Sequence, residues 1–309
     1  MPNPFEPVPF ESLPEHPRLP HPFFTLPERV IDVWTESLGD VPTSVRVVGS
    51  GPPLLLIHGL MTTGYSWRYA IEPLSARFTL YIPDLVGAGR TMSPEKPYTP
   101  EAVSEWLRAL QDRLGITGCD VVGNSMGGYL AMIHALRHPR AIGRLLVVHS
   151  PAMPEPRLWA LWAAMRLPGA QSLLGALVRR DPERWAWKNV HYWDETLKSR
   201  EETREYGMVL ATPEGLRGFY RQLRDMMDVT VMRRFWRSLE SRRDAHCDFP
   251  IPLSLLYVRQ DPMVPPRVGR RLAYLLPASS MTWLSEGSHF AHVDATEAFV
   301  REVERAFPR

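Results

Sequence analysis

The sequence predicts an α/β fold, in which short buried strands alternate with helices around a mostly parallel sheet. From residue 29 onward, short apolar runs alternate with amphipathic stretches, which is typical of strands connected through helices. The runs LLLI at 54–57 and LLVV at 145–148 are uninterrupted, as in strands that are buried on both faces of a parallel sheet. A chain of 309 residues that is 44% hydrophobic is long enough for one large core, or for a core plus one sizeable insertion.

Eight apolar segments are predicted to be strands. They lie at 30–37, 44–49, 53–58, 78–83, 119–124, 144–149, 252–259 and 280–284. Five amphipathic segments between them are predicted to be helices, at 67–76, 101–114, 126–138, 265–276 and 295–306.

The first 28 residues are predicted to form an extended arm. They contain nine prolines, which fix φ and remove backbone donors, so a regular helix or a central strand is excluded there. The arm also carries four phenylalanines, Phe5, Phe10, Phe23 and Phe24. We therefore expect it to lie against the body of the protein or against a partner subunit, which leaves a homodimer as one alternative, and a partly disordered tail as another.

Residues 152–247 interrupt the strand pattern. They contain no convincing strand, but they do contain helical segments at 156–167, 199–211 and 213–227. The stretch is rich in tryptophan and methionine, which suits a lid with an apolar underside. The predicted organisation is therefore an arm at 1–28, a core domain at 29–151 and 248–309, and a helical lid at 152–247.

Charge and composition exclude several classes of partner. The formal net charge is +2, from 36 basic and 34 acidic residues, so no overall field attracts nucleic acid or an anionic membrane. No apolar run reaches the roughly 20 residues of a membrane span, and the proline-rich N-terminus does not resemble a secretory signal. Two distant cysteines do not indicate a disulfide framework. We expect a cytoplasmic protein.

The strongest local motif is Gly123-Asn124-Ser125-Met126-Gly127-Gly128, between an apolar strand and a helical pattern. A serine on such a tight strand-to-helix turn has an exposed Oγ, and the N-terminus of the helix adds positive potential beside it. The motif predicts that Ser125 is a nucleophile.

A serine hydroxyl needs a base to remove its proton, and the base is usually oriented by a carboxylate. His289 follows the last predicted strand, and Asp261 follows the strand at 252–259. We therefore predict that Ser125 attacks, His289 transfers the proton and Asp261 orients His289. Asp84, which also follows a strand, is the main alternative carboxylate, although its position favours a structural role.

Two backbone amides are predicted to stabilise the oxyanion of the intermediate. Met126 follows the nucleophile, and Leu60 lies just after the strand at 53–58. We expect five further side chains to line the substrate pocket: Tyr65, Trp67, Trp159, Met263 and Phe290. No metal site is predicted, because the pair His289 and His292 has no nearby carboxylate or cysteine ligand.

These motifs resemble those of the α/β-hydrolase superfamily, specifically its lidded, esterase-like members. The matching segments are HG at 58–59, DLVGAGRTMSP at 84–94, GNSMGG at 123–128, RQDPMVP at 259–265 and GSHFAHVD at 287–294. The resemblance implies an eight-stranded, mostly parallel sheet flanked by helices, a lid inserted after the sixth strand, and no cofactor. In the similar epoxide hydrolases and haloalkane dehalogenases, an aspartate stands where this chain has Ser125, so the serine argues against both activities.

The predicted function is hydrolysis of a carboxylic ester with a hydrophobic acyl or alcohol part, through an acyl-enzyme on Ser125. The predicted partner is a small to medium hydrophobic ester, with no nucleic acid and no membrane span. Two alternatives remain. GNSMGG also resembles the carbon–carbon bond hydrolases of ring-fission dienoates, which would need a basic lid residue such as Arg157, Arg166, Arg179 or Arg217. The other alternative is a ligand-binding member of the fold without turnover.

Overall fold

The computed structural model describes residues 3–308 and contains one sheet of eight strands. The strands are β1 (Glu28–Thr35), β2 (Gly39–Val48), β3 (Pro53–Ile57), β4 (Thr79–Pro83), β5 (Cys119–Asn124), β6 (Ile142–Val148), β7 (Leu253–Val258) and β8 (Ser280–Leu284). Every predicted strand is present, and the predicted α/β class with an eight-stranded, mostly parallel sheet is confirmed.

The order of strands across the sheet is β1-β2-β4-β3-β5-β6-β7-β8. The pairs β1–β2 and β2–β4 are antiparallel, and all the other pairs are parallel. Because β3, β5, β6, β7 and β8 are parallel neighbours, the loops that follow them meet at one edge of the sheet. Parallel sheets commonly place their functional residues at that edge.

Five helices of the core join these strands: α1 (Ile71–Ser75), α2 (Pro100–Leu114), α3 (Met126–Arg137), α10 (Pro266–Leu275) and α12 (Thr296–Ala306), with a short turn, α11 (Ala291–Asp294), before the last. The helix expected at 67–76 is shorter than predicted. A 3-10 turn occupies Gly64–Trp67, and α1 begins only at Ile71. Pro73 explains this, because proline lacks an amide donor and is tolerated only in the first turn of a helix.

The sheet separates two hydrophobic clusters. One contains Leu55, Val121 and Leu130 with the apolar face of α2, and the other contains Leu54, Val122 and Phe299 with the apolar face of α12. Leu54 and Leu55 are each completely buried on opposite faces of β3. This explains why the central strands are apolar without alternation.

All regular structure between β6 and β7 is helical. This stretch, called the cap segment (residues 152–247), contains α4 (Pro156–Ala164), α5 (Ala170–Arg180), α6 (Pro182–Asn189), α7 (Arg200–Leu210), α8 (Pro213–Arg221), a π-helical turn (Gln222–Met226) and α9 (Val229–Asp244). No helix within residues 3–308 is both long and apolar enough to cross a membrane.

The N-terminal arm, which the structure describes from residue 3, lies along the cap segment. The ring of Phe10 is buried between Trp187, whose ring centroid is 5.9 Å away, and the guanidinium of Arg200, 3.7 Å from the Phe10 centroid. The amide of Arg200 donates to the carbonyl of Pro14, and Arg18 pairs with Asp194. Of the expected alternatives, the arm therefore lies against the body of its own chain.

Candidate active site

The residues with predicted chemistry meet at the carboxyl edge of the parallel strands. Leu60 follows β3, Ser125 follows β5, Asp261 follows β7 and His289 follows β8. The sheet order thus brings together side chains that are up to 229 positions apart in sequence, from residue 60 to residue 289.

Ser125 has a strained backbone between β5 and α3. Its φ is 54°, in the left-handed region that residues with a Cβ atom rarely adopt. The amide of Ser125 donates to the carbonyl of Val148 at 2.7 Å, which holds the turn. Gly127 is required beside it, because a Cβ atom there would lie 2.4 Å from the carbonyl oxygen of Ile57. The turn leaves Ser125 part-exposed, whereas both of its neighbours are buried.

His289 and Asp261 form a buried pair. Nδ1 of His289 lies 2.7 Å from Oδ2 of Asp261. Oδ1 of Asp261 accepts from the amides of Met263, at 2.6 Å, and Val264, at 2.9 Å. A carboxylate at Nδ1 favours the tautomer with its proton on that nitrogen, and this leaves Nε2 free to accept a proton.

The loop that carries His289 is held by side chains on both sides. The side-chain amide of Asn124 donates to the carbonyl of His289 at 3.1 Å. Asp294 accepts from the amide of Ser288 at 3.1 Å and from the amide of Trp193, in the cap segment, at 2.6 Å. Asn124 immediately precedes Ser125, so one residue links the turn at Ser125 to the loop that carries His289.

The two predicted oxyanion donors flank Ser125. Leu60 and Met126 both line the same cavity as Ser125. Met126 is the first residue of α3, so its amide has no partner within the helix. The loop before Leu60 lies directly against Ser125, because a Cβ atom on Gly59 would lie 3.1 Å from the Cβ of Ser125.

His58 and Asp84 hold loops rather than face the cavity. Nδ1 of His58 lies 2.8 Å from the carbonyl oxygen of Gly59, and its Nε2 accepts from the amide of Leu85 at 2.9 Å. Burial lowers the pKa of His58 to about 4. The carboxylate of Asp84 accepts from the amides of Gly64 and Arg90, which agrees with the structural role favoured for it.

A mainly apolar cavity, partly open to solvent, lies in front of Ser125 and His289. The core contributes Leu60, Met61, Pro151, Val264 and Val268, and the cap segment contributes Leu158, Val190 and Met227. The polar side chains around it are Asn124, Glu155, Arg157 and Asn189, in addition to Ser125 and His289.

Two of the five side chains predicted for the pocket line this cavity, namely Met263 and Phe290. The other three predictions need correction. Tyr65 and Trp67 are completely buried in the core, where the Tyr65 hydroxyl donates to Glu201 at 2.8 Å and the Trp67 ring stacks on His292. Trp159 packs against Trp162 instead, because one helical step, about 100° of rotation, separates it from Leu158, which lines the cavity.

Two side chains at this edge, Asn124 and His149, were not predicted from the sequence. His149 follows β6, and one donor atom from each of His149, Asp261 and His289 lies within 4.8 Å of the other two. Such a group can in principle hold a metal ion. However, Asp261 and His289 bind each other, and Nε2 of His149 accepts from the amide of Val258 at 2.8 Å. Its position directly after the strand β6 could have identified His149 as a candidate site residue.

Comparisons with known proteins agree with this architecture. The family model for the alpha/beta hydrolase fold matches residues 52–296. An uncharacterized protein of Mycobacterium tuberculosis is 27% identical over 84% of this chain and 76% of its own length. The 2-hydroxy-6-oxo-2,4-heptadienoate hydrolase of Pseudomonas putida is 24% identical over 86% of this chain and 92% of its own.

Among solved structures, a thermophilic esterase from Thermogutta terrifontis superimposes with a TM-score of 0.70, at 20% identity, over 90% of this chain and 97% of its own. At that identity the likeness is one of fold. The family match covers most of the chain and includes every residue that lines the edge described above. The chain therefore belongs to the α/β-hydrolase family.

Proposed function

We propose that this protein is a serine hydrolase that cleaves carboxylic esters with a hydrophobic acyl or alcohol part, through an acyl-enzyme on Ser125. The observation that carries the proposal is the buried His289–Asp261 pair, 2.7 Å apart, together with a strained, part-exposed serine that lines the same cavity as His289. Strain at a residue with a Cβ atom is commonly retained where it serves the chemistry.

In the first half of the reaction, Nε2 of His289 takes the proton from Oγ of Ser125 as that oxygen attacks the ester carbonyl carbon. The charge that develops on the carbonyl oxygen is stabilised by the amides of Leu60 and Met126. The intermediate then collapses, the carbon–oxygen bond to the alcohol breaks, and His289 returns the proton to the leaving alcohol. In the second half, water attacks the acyl-enzyme by the same steps and releases the acid.

The cavity supports a hydrophobic substrate. Aliphatic, methionine and aromatic side chains form most of its wall, including Leu158, Val190 and Met227 from the cap segment. Apolar pockets with a few convergent polar groups typically bind small molecules of mainly hydrophobic character. We infer that the cap segment acts as the lid of this site.

Cleavage of ring-fission dienoates by the same residues is the second candidate, because the P. putida relative is a hydrolase of such a compound by name. That substrate carries a carboxylate. Of the four arginines considered for it, only Arg157 lines the cavity, and it is exposed and donates to the carbonyl of Pro262. Arg166 pairs with Asp228, and Arg217 donates to the carbonyl of Ser93. We favour ester hydrolysis because Arg157, the one of these arginines that lines the cavity, is exposed and already hydrogen-bonded to Pro262.

The test is hydrolysis of p-nitrophenyl esters from acetate to dodecanoate by the parent protein and by Ser125→Ala. We expect turnover with a preference for medium acyl chains, and its loss in the variant. The same two proteins are given 2-hydroxy-6-oxo-2,4-heptadienoate, whose yellow colour disappears on cleavage. Rapid loss of colour without ester turnover would replace the ester proposal with carbon–carbon bond hydrolysis. Failure on both substrates would favour a ligand-binding role.

A further inference from the structure

His149 occupies a costly position beside the His289–Asp261 pair. It is completely buried, and its φ of 49° lies in the left-handed region, which a histidine seldom adopts without compensation. Its amide donates to the carbonyl of Leu256 at 3.0 Å, so the strained residue is tied to the neighbouring strand β7. The ester-hydrolysis proposal assigns no role to this residue.

The hydrogen bonds of His149 determine which nitrogen carries the proton. The amide of Val258 donates to Nε2 at 2.8 Å, so Nε2 must present its lone pair and the neutral ring carries its proton on Nδ1. Burial lowers the pKa of His149 to about 4, so the ring is neutral near pH 7. Nδ1 is buried and has no hydrogen-bond partner among the described residues.

That unpartnered N–H lies among the catalytic groups. The ring centroid of His149 is 5.5 Å from that of His289, with 37° between the planes. The negative charge of Asp261 and the backbone of His289 both favour a proton on His149, while the charge of His289 opposes it. Two further titratable groups lie against this region: Tyr257 of β7, whose ring packs against His149, and His292 of α11.

We propose that His149 is a positioning residue: its neutral Nδ1–H group donates to the Asp261 carboxylate or the backbone carbonyl of His289 during turnover, without placing a second positive charge beside the imidazolium that forms there. The proposal rests on the proposed roles of Ser125 and His289. A cation at this position would repel that imidazolium, whereas a neutral donor does not. The unpartnered Nδ1–H is therefore available to form a hydrogen bond when the loop that carries His289 moves closer to a bound substrate.

Two substitutions separate the halves of the imidazole. His149→Asn keeps an N–H group near the position of Nδ1, and asparagine tolerates the left-handed backbone. His149→Gln places an amide oxygen near Nε2, where it can accept from Val258, but removes the Nδ1 donor. His149→Phe also removes the donor and keeps the volume of a ring, so it tests the loss of the donor independently of His149→Gln.

We expect His149→Asn to retain kcat for a p-nitrophenyl ester within about threefold of the parent. His149→Gln and His149→Phe should lose about tenfold in kcat with little change in KM, as expected for a residue that orients a catalytic group. Without the N–H dipole of His149, the negative charge of Asp261 is stabilised less by His149 and interacts more strongly with His289. This favours the protonated form of His289. The acidic limb of the kcat/KM profile should therefore move to higher pH in His149→Gln and His149→Phe but not in His149→Asn.

His134→Phe is the matched control, because His134 is also a buried histidine whose two nitrogens lie near Ser104 and Gln111, away from the cavity. It should lower the thermal midpoint without moving the acidic limb.

The proposal is overturned if glutamine preserves kcat and asparagine does not, since His149 would then serve only the Val258 amide. It is also overturned if the acidic limb stays in place in all three His149 variants.

A second readout separates this proposal from the ester proposal. The rate at which a fluorophosphonate modifies Ser125 depends on the same base and does not require the natural substrate. If the parent protein is modified at Ser125 but hydrolyses no ester, the ester proposal fails, and the order of modification rates among the His149 variants still tests the positioning role. The expected order is parent and His149→Asn above His149→Gln and His149→Phe. Equal rates in all four proteins would contradict it.

Discussion

Nδ1 of His289 lies 2.7 Å from Oδ2 of Asp261, and both side chains are almost entirely shielded from solvent. Burial alone raises the pKa of Asp261. The charge of His289 and its hydrogen bond, together with His149 and the amide of Val264, outweigh burial and hold this pKa below its ordinary value. The carboxylate is therefore ionised at neutral pH and can stabilise a positive charge on the imidazole.

Asp261→Asn should reduce kcat for ester hydrolysis by about 10³- to 10⁴-fold. An amide at this position can donate to Nδ1, which favours the tautomer whose proton lies on Nε2, and that tautomer cannot accept the proton of Ser125. The measurement is the initial rate with a p-nitrophenyl ester at saturating concentration.

Asp84→Asn is its control, because Asp84 also follows a strand and is buried but accepts from the amides of Gly64 and Arg90. It should lower the thermal midpoint and change kcat by much less than Asp261→Asn. A larger loss of kcat in Asp84→Asn would mean that Asp84 is the orienting carboxylate.

Leu158→Trp should shift the preferred acyl chain to shorter esters. Leu158 reaches the cavity from the first turns of α4, so a larger side chain there removes space that a long acyl group would occupy. We expect kcat/KM to fall about tenfold or more for decanoate and to change little for acetate. Leu173→Trp is the control, since Leu173 is 64% exposed on α5. An unchanged chain-length profile in Leu158→Trp would place the acyl group elsewhere.

Phe10→Ala should destabilise the protein by up to about 3 kcal/mol, because a large buried aromatic side chain leaves a cavity when it is truncated. Phe10 is 6% exposed and lies between Trp187 and the guanidinium groups of Arg184 and Arg200. Phe24→Ala should have a small effect, since Phe24 is 45% exposed. Urea denaturation of both variants gives the comparison. Equal losses would show that the arm does not hold the cap segment through Phe10.

Asp294 gives the stability of the fold a dependence on pH. Burial raises the pKa of Asp294 to about 6, against a smaller effect of its hydrogen bonds from Ser288 and Trp193, whereas an unfolded aspartate titrates near ~3.9. The folded state thus binds a proton that the unfolded state does not bind between these values, so this contribution to stability rises as the pH falls from about 6 to about 4.

The comparison is between the parent protein and Asp294→Asn, with urea denaturation at pH 7 and pH 5. The parent should gain about 1 kcal/mol relative to the variant at the lower pH, since one pKa unit corresponds to ~1.4 kcal/mol. A constant difference between the two proteins would show that Asp294 does not titrate in this range.

Much of the fold could be predicted because the strands of a parallel sheet are apolar on both faces. β5 and β8 begin and end where predicted, and α2 and α3 differ by one residue at one end. The start of β2 was missed by five residues, at Gly39 rather than 44, because Asp40 and Pro42 are unfavourable strand residues in isolation. Pairing with β1, from Thr35 opposite Gly39 onward, overrides their preference.

The site was predictable only in part. Ser125, Asp261 and His289 stand at strand ends in a recognisable order, and the sheet order brings them to one edge. The pocket wall depends instead on which face of each cap helix turns inward, and this is set by tertiary packing. Leu158 and Trp159 are equally apolar neighbours, and sequence does not distinguish which of them lines the cavity. Tyr65 was misplaced because its hydrogen-bond partner, Glu201, is 136 positions away in the sequence and reaches it only in the folded chain.

The most direct test of Ser125 as the nucleophile is covalent trapping of its side chain. The protein is incubated with diethyl p-nitrophenyl phosphate, residual hydrolysis of a p-nitrophenyl ester is followed, and the modified peptide is identified by mass spectrometry. The role of Ser125 as the nucleophile predicts that one diethylphosphoryl group is added per chain, that it lies on Ser125, and that ester hydrolysis falls in proportion to its addition. Full modification of Ser125 with ester hydrolysis undiminished, or activity lost by modification of another residue, would contradict it.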